Sequence, residues 1–186
     1  MTRSYRLNAP AHAIAAALGA DAGGDVWQGG DVAFGTYAPV VIRVPDRGRM
    51  MVPRLWGVPP PPGREHPLAS LRNLESPFWV GTLRHTQFRC LIPVTAYRGA
   101  AASPDAKGWY SVPSSPIFAL AGIWRDSEIP SFAIVSTEPN ALAQANRATV
   151  MPLILHPQDY GLWLTGDWKQ AQRLVSPFPS QLMRME

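Results

Sequence analysis

The chain has 186 residues, 46% of them hydrophobic and 16% charged, which supports a buried core and excludes a chain held open by like charge. Its net charge of +4 comes from Arg far more than from Lys, present only at 107 and 169; Arg is the better phosphate clamp, but so small a charge does not define a nucleic-acid binder. No run approaches the ~20 apolar residues of a membrane span, the start lacks a signal pattern, and a lone cysteine excludes an internal disulfide.

One domain over residues 1–186 is therefore expected, located in the cytoplasm and without a membrane partner. The elements follow in chain order. Residues Pro10 to Gly19 read as a short helix, with Asn8 as its cap, Pro near the first turn and Gly as the stop. A Gly/Asp-rich loop then runs to about Asp31, and the Val/Ile-rich stretches Ala38 to Arg43 and Arg49 to Trp56 read as strands. Four consecutive prolines, Pro59 to Pro62, lack backbone donors and predict a loop or a polyproline II segment. Ser76-Pro77 opens a short helix into Leu83.

Strands are expected again at Phe88 to Pro93, Gly108 to Val112, Ile117 to Trp124 and Ser131 to Ser136. Glu138-Pro139-Asn140 opens another short helix, and Pro152 to Leu155 reads as a strand. Helical pieces at Pro157 to Leu164 and Asp167 to Val175 close the pattern. With 20 Pro and 15 Gly spread throughout and no repeat or βαβ alternation, the fold class is α+β: a mainly antiparallel, barrel-like β core with short peripheral helices.

Common chemical motifs are missing. There is no Gly-rich dinucleotide or phosphate loop and no His-Glu-x-x-His, and His12, His66, His85 and His156 are dispersed, so neither a cofactor nor a metal is expected. Ser114-Ser115 and Ser136-Thr137 do not stand in a nucleophile elbow. Glu75 and Glu138 lie beside helix starts, where capping accounts for them as well as acid-base work does. Cys90, inside an apolar run, reads as a small core residue.

Six short segments in one order nevertheless resemble the SRAP family, SOS-response-associated peptidase-like proteins that recognise abasic sites in single-stranded DNA. They are Met1-Thr2-Arg3, Arg54-Leu55-Trp56-Gly57, Ser70-Leu71-Arg72, Arg89-Cys90-Leu91-Ile92-Pro93, Ala121-Gly122-Ile123-Trp124 and Met151-Pro152. The resemblance implies that removal of Met1 exposes residue 2, which in the family is a cysteine whose amine and thiol close a thiazolidine with the abasic aldehyde. Here it is Thr2, whose hydroxyl is a poorer nucleophile although its own amine can serve as base.

The family's other catalytic positions are also changed: an Asn becomes Ser70, a Glu becomes Gly99, and a His becomes Arg147, which cannot shuttle protons near neutral pH. The resemblance implies groove positions for Trp56, Arg72 and Arg89, which are unaltered, and Arg147 adds positive charge. The expected function is that of a catalytically impaired protein that binds single-stranded DNA weakly, through Arg72 and Arg147 at phosphates and Trp56 as a stacking face. The alternatives are residual chemistry of the Thr2 amine with abasic-site aldehydes, and a protein-interaction scaffold of mobile-element or phage-related origin that docks a partner on its Pro-rich loop.

Overall fold

The computed structural model describes residues 2–99 and 108–186; Met1, whose removal the resemblance implies, and Lys107 lie outside the described residues. Its first strand, β1 (Ser4–Leu7), is followed by helix α1 (Ala11–Leu18), then by β2 (Gly30–Ala33), β3 (Tyr37–Val44), β4 (Gly48–Trp56) and β5 (Ser70–Leu71). Helix α2 (Pro77–Arg84) precedes β6 (Arg89–Val94), β7 (Ala96–Arg98), β8 (Trp109–Ser111), β9 (Phe118–Arg125) and β10 (Ser131–Thr137). The chain ends in α3 (Ala141–Ala145), β11 (Met151–Pro152), β12 (Ile154–Leu155), α4 (Tyr160–Thr165), α5 (Trp168–Gln172) and β13 (Arg184–Met185).

Five of these strands close on themselves. β10 pairs in parallel with β4, which continues through antiparallel β3, β6 and β9, and β9 pairs back onto β10. The closed ring removes the edges that an open sheet would present to other chains. Residues of β6 and β10 are buried throughout, as expected for strands packed on both faces. The fold class is therefore α+β with a barrel core, as the sequence implies.

A second sheet, ordered β13-β8-β7-β1-β2, lies beside the barrel. It was not legible as a sheet: β2 lies within the stretch expected to be a loop through Asp31, and only its pairing with β1 makes it a strand. Thr95 joins the two sheets, its amide donating to Arg6 O at 2.7 Å and its hydroxyl accepting from Asn8 N at 3.1 Å.

Helix α1 forms because Ala11, Ile14, Ala15 and Leu18 repeat at i, i+3, i+4 and i+7 and bury one face. Its N-cap is Pro10, not Asn8, and Gly19 ends it in the left-handed region at φ 59°. Ser76 and Pro77 start α2 as expected, without a side-chain cap bond from Ser76. For α3 the cap is Asn140, whose side chain accepts from Ala143 N at 2.9 Å, so Glu138 is not needed in that role.

The expected strand Pro152 to Leu155 divides. β11 pairs with β10 and β12 with β9, and Leu153 bridges the two, donating to Val135 O and accepting from Ala121 N, each at 2.8 Å. The last helical region also breaks: a single 3-10 turn at Pro157–Asp159 leads into α4, and α5 is a short helix with an Asp167–Gln170 capping box. None of the helices among the described residues is long and apolar enough to cross a membrane.

The prolines at 59–62 do form a loop. Val58 and Leu68 exchange two backbone hydrogen bonds, at 3.1 and 2.9 Å, and close the excursion. Gly57 makes the turn into it at φ 137°, where an added Cβ would approach Phe34 at 3.0 Å. Beyond the excursion the chain resumes as β5 alongside β10, with Ser70 opposite Ile134.

Candidate functional site

β1 is held between β2 and β7, and this pairing delivers the residue before Arg3 to the barrel. Thr2 is 7% exposed and its hydroxyl donates to Arg98 O at 3.0 Å. It lines a recess with Ser70, Ile134, Ser136, Val150, Met151 and Pro152. Three hydroxyls and no titratable side chain make up its polar lining. The volume of ≈ 10 Å³ is about that of one water site.

Gly99 and Arg147 are not among the residues that line the recess. Gly99 directly follows Arg98, the carbonyl partner of Thr2. A Cβ at Gly99 would lie 2.5 Å from Cε2 of Tyr110. That ring is 2% exposed and stacks on Tyr97 with centroids 5.2 Å apart, so it cannot readily give way. Tyr110 thus fills the volume that a side chain at position 99 needs. Burial raises the Tyr110 pKa, opposed by a hydrogen bond with the Asn146 side chain.

Arg147 follows Asn146 and precedes the recess residue Val150 by three positions. It is exposed and sits at φ 58°. Its amide donates to Gln144 O at 2.8 Å and the Ala148 amide to Ala143 O at 3.0 Å, the paired bonds of a left-handed helix stop that glycine usually occupies. A branched side chain there costs about 1 kcal/mol. Arg147→Gly is therefore expected to raise unfolding stability by about 1 kcal/mol in a urea titration; no gain would mean that the guanidinium makes compensating contacts.

Arg72, just after β5, is exposed. It lines a groove of ≈ 540 Å³ with Asn73, Glu75, Ser136, Glu138 and Gln172 among others. Ser136 lines both recess and groove, so the two lie on either side of it. Glu75 lies on the same groove without pairing to Arg72: the only ion pair among the described residues is Arg6–Asp31, at 3.6 Å.

Two expected groove residues are elsewhere. Trp56 is fully buried, its Nε1 donating to Ala69 O at 2.9 Å, within a cluster of Tyr5, Phe34 and Phe132 rings. It offers no face to a base. Arg89 is fully buried as well, donating to Trp163 O at 2.7 Å and to Gly166 O. Burial lowers its pKa and nearby Asp167 opposes that, but a guanidinium remains charged at neutral pH. It holds α4 to the barrel and reaches no phosphate.

Sequence reasoning set Ser136 aside for want of a nucleophile elbow and gave Val150 and Tyr110 no role in the site. Ser136 and Val150 are distant in sequence from Thr2 and join it in the recess across the β10–β11 pairing. Cys90 is buried, and burial pushes its thiol pKa up, so it is not a reactive thiol. No group of three or more His, Cys, Asp or Glu suited to a metal ion occurs among the described residues.

A closed barrel with a flanking sheet that brings the second residue into a hydroxyl-lined recess defines the class of fold to which this chain belongs. The chain belongs to the SOS response associated peptidase (SRAP) family, whose sequence model matches residues 1–186. Its fold is similar to that of a Bacteroides thetaiotaomicron protein, at 20% identity and TM-score 0.78, covering 98% of this chain and 90% of that one. A Bordetella bronchiseptica protein matches at 17% identity and TM-score 0.77, covering 98% and 97%. A phage-related protein of the same organism matches at 16% and 0.74, covering 99% and 92%. No curated protein sequence matches the chain.

Proposed function

We propose that this SRAP-family chain binds single-stranded DNA non-covalently and has lost the chemistry that would fix it to an abasic site. The observation that carries this reading is the recess itself. Thr2 stands beside Ser70 and Ser136 with no side chain able to accept its proton, and the family's acid-base positions are Gly99 and Arg147. A threonine hydroxyl with no side-chain base beside it, and only its own amine to help, is a weak nucleophile, and Tyr110 blocks the simplest return of a carboxylate.

The binding half of the proposal rests on exposed guanidiniums. Arg72 borders the groove that shares Ser136 with the recess, and Arg147 is held in a strained backbone conformation that selection for stability alone would replace with glycine. Glu75 and Glu138 share the groove with Arg72 and weaken its field, so affinity is modest and salt-sensitive. Without Trp56 as a platform, binding has little stacking energy and little base preference.

Incubation with a labelled single strand bearing one abasic site, followed by a denaturing gel, tests the chemistry. No shifted band is expected without reductant, and a heat-stable band would overturn the loss of activity. A band trapped by borohydride alone would instead assign reversible Schiff-base chemistry to the Thr2 amine. Thr2→Cys alone restores little stable product under this proposal, since the other three positions remain changed. For binding, fluorescence anisotropy should show Arg72→Ala and Arg147→Ala each reducing the salt-dependence slope by about 0.7. An unchanged slope and affinity in folded variants would refute the DNA role.

A further inference from the structure

A second groove, of ≈ 430 Å³, lies between the turn into the proline loop and the β9–β10 connection. Its lining includes Leu55, Pro59, Pro60, Pro67 and Ile129, with Glu65 and Glu128 as its only charged groups. It opens where β10 begins, at Ser131, whereas the recess starts on that strand at Ile134; three strand residues, about 10 Å, separate them. The two sites are independent.

We infer that this groove docks an extended peptide segment carrying a Lys or Arg beside an apolar residue. The charge argument is direct. In a chain of net charge +4, this groove gathers two exposed carboxylates and no cation among its lining residues, and neither carboxylate forms an ion pair within the described residues. Ile129 is 50% exposed beside them, supplying apolar area that a neighbouring side chain can cover.

The hydrogen-bond inventory points the same way. Proline carries a carbonyl but no N–H, so a wall of Pro59, Pro60 and Pro67 is rich in acceptors and poor in donors. Ser131 lines the same groove, and its hydroxyl is buried and makes no hydrogen bond among the described residues. A donor-rich guanidinium or ammonium on an extended backbone complements this set, whereas a phosphate or carboxylate ligand would be repelled by Glu65 and Glu128.

Titration of the ¹⁵N-labelled protein with N-acetyl-Leu-Arg-Leu-amide tests the inference. Saturable shifts of the Gly57, Ile129 and Ser131 amides are expected, and the double variant Glu65→Gln/Glu128→Gln should weaken binding at least fivefold; both residues are exposed, so the variant folds. Shifts of equal size with N-acetyl-Leu-Glu-Leu-amide, or an undiminished affinity in the double variant, would overturn it. Agmatine binding as tightly as the peptide would also overturn it, because the site would then take a free cation rather than a chain. None of these outcomes bears on Thr2, Arg72 or Arg147, so the DNA proposal stands or falls separately.

Discussion

Arg89→Ala is expected to lower unfolding stability by about 3–5 kcal/mol, measured by urea or thermal denaturation, with any loss of function following from the loss of fold. The guanidinium is fully buried and donates to Trp163 O and Gly166 O. Truncation leaves two carbonyls without a donor and opens a cavity next to Trp163, whose own Nε1 donates to Cys90 O at 3.0 Å. Both losses fall on the contact between α4 and β6. Arg89→Lys rescues only in part, since one ammonium cannot reproduce the two-pronged geometry. A folded, stable Arg89→Ala protein with weakened DNA binding would reinstate the groove role that burial denies to this residue.

The second large effect is at Trp56. Trp56→Ala should destabilise the protein by about 3–5 kcal/mol, a large part of the 5–15 kcal/mol typical of a domain. Its ring stands 5.1 Å from Tyr5, in the sheet that carries Thr2, and 6.1 Å from Phe132 in the barrel, so truncation loosens the joint between the two. Trp56→Phe keeps most of the area and loses the bond to Ala69 O, for about 1–3 kcal/mol. Circular dichroism and denaturation report both changes. Had Trp56 been a stacking platform, the Ala variant would lose roughly 1–3 kcal/mol of binding per base at unchanged stability, the opposite pattern.

Much of the fold was legible because it is written in local patterns. The run Ala38 to Arg43 is rich in β-branched residues, Arg49 to Trp56 is largely apolar, and they form β3 and β4; Ala11, Ile14, Ala15 and Leu18 make a helical stripe whatever covers it. The boundaries that failed depend on partners. Asp31 becomes part of a strand only because Arg6 lies opposite it, and Pro152 to Leu155 splits because β10 and β9 each claim half.

The candidate site divides in the same way. From the sequence by itself came the order of the six segments that place the chain in the family, and the identities of Thr2, Ser70, Gly99 and Arg147 on which the proposed loss of chemistry rests; both are properties of residue identity. Only the tertiary structure decided what those residues can touch. Trp56 and Arg89, indistinguishable in sequence from exposed groove residues, are buried because Tyr5, Phe132 and α4 close over them. Arg72 and Arg147 remain exposed because nothing does. Tyr110, 11 residues beyond Gly99, fills that position's side-chain volume. Exposure is set by what packs against a side chain across the fold, and no local pattern carries that information.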